Sequence, residues 1–301
     1  MLFSSAFLIA WLWRERFWGA FLWGAVGAVL GQIHMSGFFS AFAIFLFTLG
    51  YERVNHESRA SGAPRAHWQA WVLGSTLASL PLLPWGYYVW THPVTDAVSR
   101  GWQEMVQLKF WVFWISDPWG LHLGNTLGVY LGPHQWDQLS QFFKEPRFFS
   151  QPTYLAAAAH LVLIGLLVAT FGSMVRRVKM FPTTLTAVRD WLFPAAPLAR
   201  ATRALIFGFG IFLTLTGVWL RRYYLAVSFP LEFTALVALV VAAFGRNREQ
   251  TSRSRQVLAL IWLCQLVISA SFVGYVIREG GSPAGDYGIS YERVVTAEKI
   301  R

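Results

Sequence analysis

The strongest constraint on this chain is a recurrence of apolar stretches, each long enough or nearly long enough to cross a bilayer. They lie at about 17–35, 37–51, 69–91, 154–175, 203–220, 223–244 and 256–277. A helix rises about 1.5 Å per residue, so ~20 apolar residues match the ~30 Å of bilayer hydrocarbon. Inside lipid every backbone N–H and C=O must find its partner within the protein, and runs of this length do so as helices. A further apolar stretch, 1–13, is shorter. No basic residue precedes it and no small-residue cleavage site follows it, so it reads as the end of a helix and not as a signal peptide. Gly37 predicts a tight reversal between the spans on either side of it. The expected fold is an all-α polytopic membrane protein of about seven or eight transmembrane helices over 1–277, followed by an extracytoplasmic tail, 278–301.

Composition agrees. Only 13% of the residues are charged, about half the ~25% of a soluble domain, while 55% are hydrophobic. A disordered chain and a nucleic-acid-binding arm are both excluded on this ground, despite the net charge of +10. One cysteine, Cys264, lies in an apolar run, which leaves no disulfide framework and no cysteine-based metal site.

Basic residues report sidedness, because they collect in cytoplasmic loops. If the turn at Arg14 and Arg16 is cytoplasmic, alternation also puts three other groups inside. These are Arg53, Arg59 and Arg65; Arg176, Arg177, Lys179, Arg189, Arg200 and Arg203; and Arg246, Arg248, Arg253 and Arg255. Together these are fifteen of the 25 Lys and Arg. The expected location is a membrane, with the C-terminus outside the cytoplasm. The outer loop 92–153 carries Trp102, Trp111, Trp114, Trp119 and Trp136, a density that predicts short helices at the membrane interface. On the inner side 178–200 mixes proline, apolar and basic residues and predicts a segment lying on anionic lipid.

Several residues are candidates for chemistry. Arg221 and Arg222, followed by Tyr223 and Tyr224, are the basic residues of a short outer loop and break the charge rule. A guanidinium fork suits phosphate; the plainer reading is snorkelling to headgroups. Gln32, His34 and Ser36 put three polar side chains at one helix end on the same outer face, where capping would also explain them. Glu232 is a carboxylate within the predicted 223–244 span, an intramembrane ionisable group preceded by Pro230. His160, alone in an apolar helix, reads as a packing residue.

In the outer loop His92, Asp96, Asp117, His122, His134 and Asp137 have no metal-ligand spacing, so a divalent metal is unsupported. Asp117-Pro118-Trp119-Gly120 reads as a turn. The glycine-rich run 280–288 is a loop and lacks the Lys-Ser or Lys-Thr of a phosphate-binding loop.

Three runs carry a resemblance: GQIHMSGFF ending at Phe39, RRYYLAVSFPLEF at 221–233 and GDYGISY at 285–291. In this order they resemble the C-terminal portion of bacterial membrane glycosyltransferases of the GT-C type, relatives of protein mannosyltransferases and lipid A aminoarabinose transferases. The resemblance implies a GT-C-like helical fold and transfer of a sugar from a polyprenyl-phosphate-linked donor to a glycan, lipid or protein acceptor outside the cytoplasm. It implies that Arg222, with Arg221 beside it, meets the donor phosphate, and that Tyr223 helps to position it. In the family the general base is a carboxylate in the first outer loop, and this chain reaches Arg14 without an acid. The expectation is therefore a chain lacking the family's N-terminal part, or one paired with a chain that supplies it, with Asp117 and Asp286 as weak substitutes for the base. A non-catalytic membrane subunit or a transporter on a related scaffold is the alternative.

Overall fold

A computed structural model describes residues 1–54, 65–92, 109–121, 147–148, 151–152, 155–177, 184–215, 222–245 and 248–279. These residues are helical except for turns, short connections and one small antiparallel hairpin, β1 (Arg147–Phe148) with β2 (Gln151–Pro152). Four helical runs are long and apolar enough to cross a membrane: Met35–Val54, Leu155–Arg176, Pro197–Leu215 and Thr251–Ser271. Length and composition thus mark a membrane protein. Leu2–Leu12, Phe17–Ile33 and Leu231–Phe244 are apolar but shorter.

The chain divides into two compact units, Met1–Trp114 with Met180–Ala235, and Ile115–Lys179 with Leu236–Arg301. The first is built on α1 (Leu2–Leu12), α2 (Phe17–Ile33), α3 (Met35–Val54), α4 (Trp68–Ser79) and α5 (Leu83–Thr91). Between α2 and α3 stands only His34, in extended backbone. The reversal there is as tight as Gly37 predicts: a Cβ on Gly37 would sit 2.3 Å from the Leu30 carbonyl oxygen. Glycines also let α2 and α4 meet backbone to backbone. A Cβ on Gly24 would stand 2.3 Å from the Trp71 carbonyl oxygen, and one on Gly74 would stand 2.1 Å from that of Phe21. Small residues at a helix crossing are the usual packing solution in lipid, where no hydrophobic driving force separates protein from solvent.

Two expected spans are interrupted. The stretch 69–91 is a helix broken by a 3₁₀ turn at Leu80–Leu82, where Pro81 and Pro84 each withdraw a backbone donor. The stretch 223–244 is a 3₁₀ segment, Arg222–Ser228, followed after Pro230 by α11 (Leu231–Phe244), the eleventh α-helix among the described residues.

The outer-loop aromatics also behave differently from expectation. A short helix, α6 (Lys109–Ser116), does form, but Phe110 and Trp114 are buried in the first unit's core. Phe110 lies edge-on to Phe209, 5.3 Å between ring centroids. Trp111 donates from Nε1 to the Ile206 carbonyl at 3.2 Å. Ile206 belongs to a π-helical stretch, Ala204–Phe209, inside the Pro197–Leu215 run, and that wider winding loosens the regular ladder to which the carbonyl would otherwise belong. Trp102 and Trp136 lie outside the described residues.

The second unit centres on α7 (Leu155–Arg177), the C-terminal half of α11 and α12 (Arg248–Glu279). Its core holds Trp119, Leu163, Leu236, Val240, Ile261, Cys264 and Ile268. Polar groups in these apolar helices are satisfied locally, as a low-dielectric surrounding requires. Thr170 donates to the Leu166 carbonyl at 2.7 Å and Ser271 to that of Val267 at 2.7 Å, while His160 Nδ1 lies 3.0 Å from that of Ala156. His160 is buried, as its reading as a packing residue expects. The Asp117–Gly120 turn is closed by the Gly120 N–H on the Asp117 carbonyl at 2.9 Å, with Gly120 at φ +78°.

Candidate functional site

The helix end at His34 gathers the largest part of the expected site. The ring of His34 packs against that of Tyr224, 4.5 Å between centroids at 65°. Tyr224 is two residues beyond Arg222, so the Gln-Ile-His-Met-Ser run and the Arg-Arg-Tyr-Tyr run, nearly 190 positions apart, meet at one end of the first unit. A second link ties the same end: Ser4 Oγ donates to the Ala226 carbonyl at 3.4 Å. Arg221 and the side chains of Arg222 and Tyr223 lie outside the described residues; the Arg222 backbone opens the 3₁₀ segment.

His34 is held from one side. The backbone N–H of Ser36 donates to its Nδ1 at 3.2 Å, and the Ser36 hydroxyl oxygen stands 2.8 Å from the same nitrogen. Ser36 is buried. Between the two helices and outside both, the imidazole is pushed below its ordinary pKa of 6.5 by partial burial.

Gln32 belongs to a different task. Its amide donates to the Ala78 carbonyl at 2.6 Å and to its own helix at Ala28 at 3.3 Å, fastening α2 to α4. The adjoining face of α4 carries a shallow cavity of about 350 Å³ lined by Ser75, Thr76, Ser79, Leu80 and Leu83. Glu232 is half-buried in the first turn of α11 and not in mid-helix, where the N-terminal end of the helix dipole favours a carboxylate. Asp117 belongs to the second unit and accepts from the Ser116 hydroxyl at 2.8 Å within its turn. Asp286 lies outside the described residues. Among those residues no group of three or more His, Cys, Asp or Glu is arranged to hold a metal ion. His92 stacks on Tyr88 at 4.5 Å.

The opposite end of the same unit holds a cluster that reading the sequence did not find. Trp11 is 0% exposed and donates from Nε1 to Thr48 Oγ1 at 2.9 Å. Two arginines lie over its ring: Arg14, 6% exposed, at 4.7 Å, and Arg200, 2% exposed, at 5.9 Å. Arg200 is also 3.4 Å from the ring centroid of Tyr51. Nearby Arg203 covers Trp191, of α8 (Leu185–Leu192), at 5.1 Å. The charge rule treats Arg14 and Arg200 as marks of a solvated face, and no local pattern betrays that both are buried.

Compared with protein-family models, curated proteins and solved structures, the chain matches none.

Proposed function

We propose that this protein takes part in transfer of a sugar from a polyprenyl-phosphate-linked donor at the extracytoplasmic membrane face, and that the His34–Tyr224 end receives the donor phosphate. On this reading the fold is GT-C-like, with seven or eight spans. One observation carries it: the packing of His34 on Tyr224, which joins two of the three runs on which the resemblance rests. Arg222 opens the same 3₁₀ segment, and a cation near a departing phosphate stabilises the charge that develops on it. The acceptor hydroxyl needs a general base. No described residue is assigned that role; a partner chain is one source of it.

The test is sugar transfer from a radiolabelled polyprenyl-phosphate sugar in membranes containing the full chain. Arg222→Ala is expected to lower transfer at least tenfold at unchanged protein level, and equal transfer by both proteins overturns the proposal. A transporter is the second reading, favoured by the helix broken at Leu80–Leu82 and by Glu232 at the head of α11, since transporters bind substrate at interrupted helices. It predicts that Glu232→Gln abolishes uptake into vesicles, whereas the transferase reading predicts no uptake by the unaltered protein.

A further inference from the structure

Arg203 differs from the sealed arginines near it, because part of its side chain stays exposed. It stands near the start of the Pro197–Leu215 run, about 9 Å along the helix axis from Pro197. A cation so close to the end of a run able to cross a membrane reaches the headgroup layer. Its guanidinium lies over the Trp191 ring at 5.1 Å. The ring face offsets part of the charge but offers no acceptor oxygen. Nη1 is buried and has no hydrogen-bond partner, and among the described residues no carboxylate pairs with Arg203. Asp190, the one acid of α8, is engaged by Arg189 at 3.0 Å. A guanidinium carries five N–H donors, and leaving them without acceptors away from water is costly.

The platform beneath this cation is preformed. Trp191 packs on Phe207, one turn beyond Arg203, with 5.2 Å between centroids. Phe193, just after α8, lies 5.5 Å from Phe47 of α3, and a Cβ on Gly50 would stand 3.1 Å from its ring. Thr184 caps α8 by accepting from the Ala187 N–H at 3.2 Å. The helix is thus held to α3 and to the Pro197–Leu215 run. Val188 and Trp191, three residues apart on one face of α8, leave apolar surface exposed. An unpaired cation beside exposed apolar surface, at the end of a possible span, calls for a ligand that is both anionic and apolar.

We propose that Arg203 and Trp191 form a binding site for an anionic phospholipid. The guanidinium donates to the phosphodiester oxygens from the side that protein does not cover, and the Val188–Trp191 face lies along the lipid's apolar part. An anionic headgroup supplies the missing counter-charge, whereas a zwitterionic one brings its own cation to compete with Arg203. The site is independent of the proposed sugar transfer. Inorganic phosphate presents the same oxygens without chains, and the probes below separate the two sources.

The full chain in neutral detergent is titrated with phosphatidylglycerol, phosphatidylcholine and inorganic phosphate, and the first bound molecule is followed by native mass spectrometry. Phosphatidylglycerol should bind roughly 10-fold or more tighter than phosphatidylcholine, as hydrogen bonds between charged partners predict. Arg203→Gln should bring phosphatidylglycerol down to the level of phosphatidylcholine. Arg189→Gln, which removes an arginine already engaged by Asp190, should leave the preference as it is. Equal binding of the two lipids by the unaltered protein overturns the proposal. So does an undiminished preference in Arg203→Gln, which would leave the contact with Trp191 as helix packing alone. If Arg189→Gln lowers the preference as much as Arg203→Gln, the lipid reads overall charge and the site is wrong. If inorganic phosphate displaces phosphatidylglycerol at comparable concentration, the site takes the free ion and the lipid assignment fails. Should Arg203→Gln not fold, Arg203→Lys takes its place. It keeps the charge and loses the planar fork, so a preference reduced about threefold supports the site and an undiminished one overturns it.

Discussion

The two ends of the first unit are held by opposite means. At one end a neutral imidazole is locked by hydrogen bonds from Ser36 and braced by Tyr224. At the other, two permanently charged guanidiniums are buried against Trp11 and Tyr51. The contrast teaches what each end is suited to. A neutral, titratable group can take up and release an anionic ligand without leaving a buried charge stranded. Buried arginines are costly to disturb, since removing what surrounds a buried charge is strongly destabilising. The arginine end is therefore read as the anchor of the unit and the histidine end, on the proposed function, as its working face.

The largest test of that contrast is Trp11→Ala. It removes a fully buried ring, the surface on which Arg14 and Arg200 lie and the donor to Thr48. Loss of a buried aromatic costs about 3–5 kcal/mol, and thermal unfolding of the detergent-solubilised protein should show a correspondingly lower midpoint. Tyr224→Ala should cost only about 1 kcal/mol, the scale of an aromatic pair. If the two substitutions destabilise equally, the division into anchor and working face is wrong.

A double-mutant cycle sharpens the anchor. With its guanidinium 3.4 Å from the ring centroid of Tyr51, Arg200 should couple to that ring by about 1–2 kcal/mol, more than an exposed cation–π pair, because the guanidinium is buried. The measurement compares Arg200→Met, Tyr51→Leu and the double variant by denaturation in one detergent. Arg200→Met alone keeps the apolar stem, so a loss confined to charge and stacking is what the cycle isolates. A coupling near zero would reduce the cluster to simple packing.

The pH dependence separates the ends again, on a smaller scale. Burial lowers the His34 pKa below 6.5, so the folded state prefers the neutral ring. Its stabilising contribution is complete above the ordinary value and is lost as pH falls through it toward the lower folded value. Amide exchange at residues 30–40, corrected for intrinsic rate, should therefore quicken between pH 7.5 and pH 5. The acceleration should be absent in His34→Asn. Persistence in that variant would assign the effect to another group.

Part of the fold was legible because a helix long and apolar enough to cross a membrane is specified by local properties, length and hydropathy, and the 37–51 and 154–175 stretches need nothing else. The breaks were legible in part, since Pro81, Pro84 and Pro230 stand at them, yet uninterrupted hydropathy across 69–91 and 223–244 masked the proline effect. The site was legible only as a set of residue types. Nothing local shows that His34 meets Tyr224, or that Arg14 and Arg200 share one tryptophan, because those contacts join distant positions. Tryptophan density in 92–153 misled for a related reason: aromatics are rewarded equally at an interface and in a core, and Phe110 and Trp114 take the core.

The smallest expected effect tests how far charge alone can be read. Arg189 and Asp190 form an ion pair at 3.0 Å on α8, with side chains 40% and 67% exposed. Adjacent residues point to different sides of a helix, so the pair is made by one side chain bending along the surface and pays for that ordering in entropy. Asp190→Asn should therefore change stability by less than about 0.5 kcal/mol, read in the same detergent unfolding measurement as Trp11→Ala. In the sidedness count Arg189 weighs the same as Arg200, although one arginine is half solvated and the other is sealed against aromatic rings. If Asp190→Asn proved as damaging as the loss of Arg200, burial would not be what distinguishes the arginines, and the anchor would have to be sought along the whole basic face.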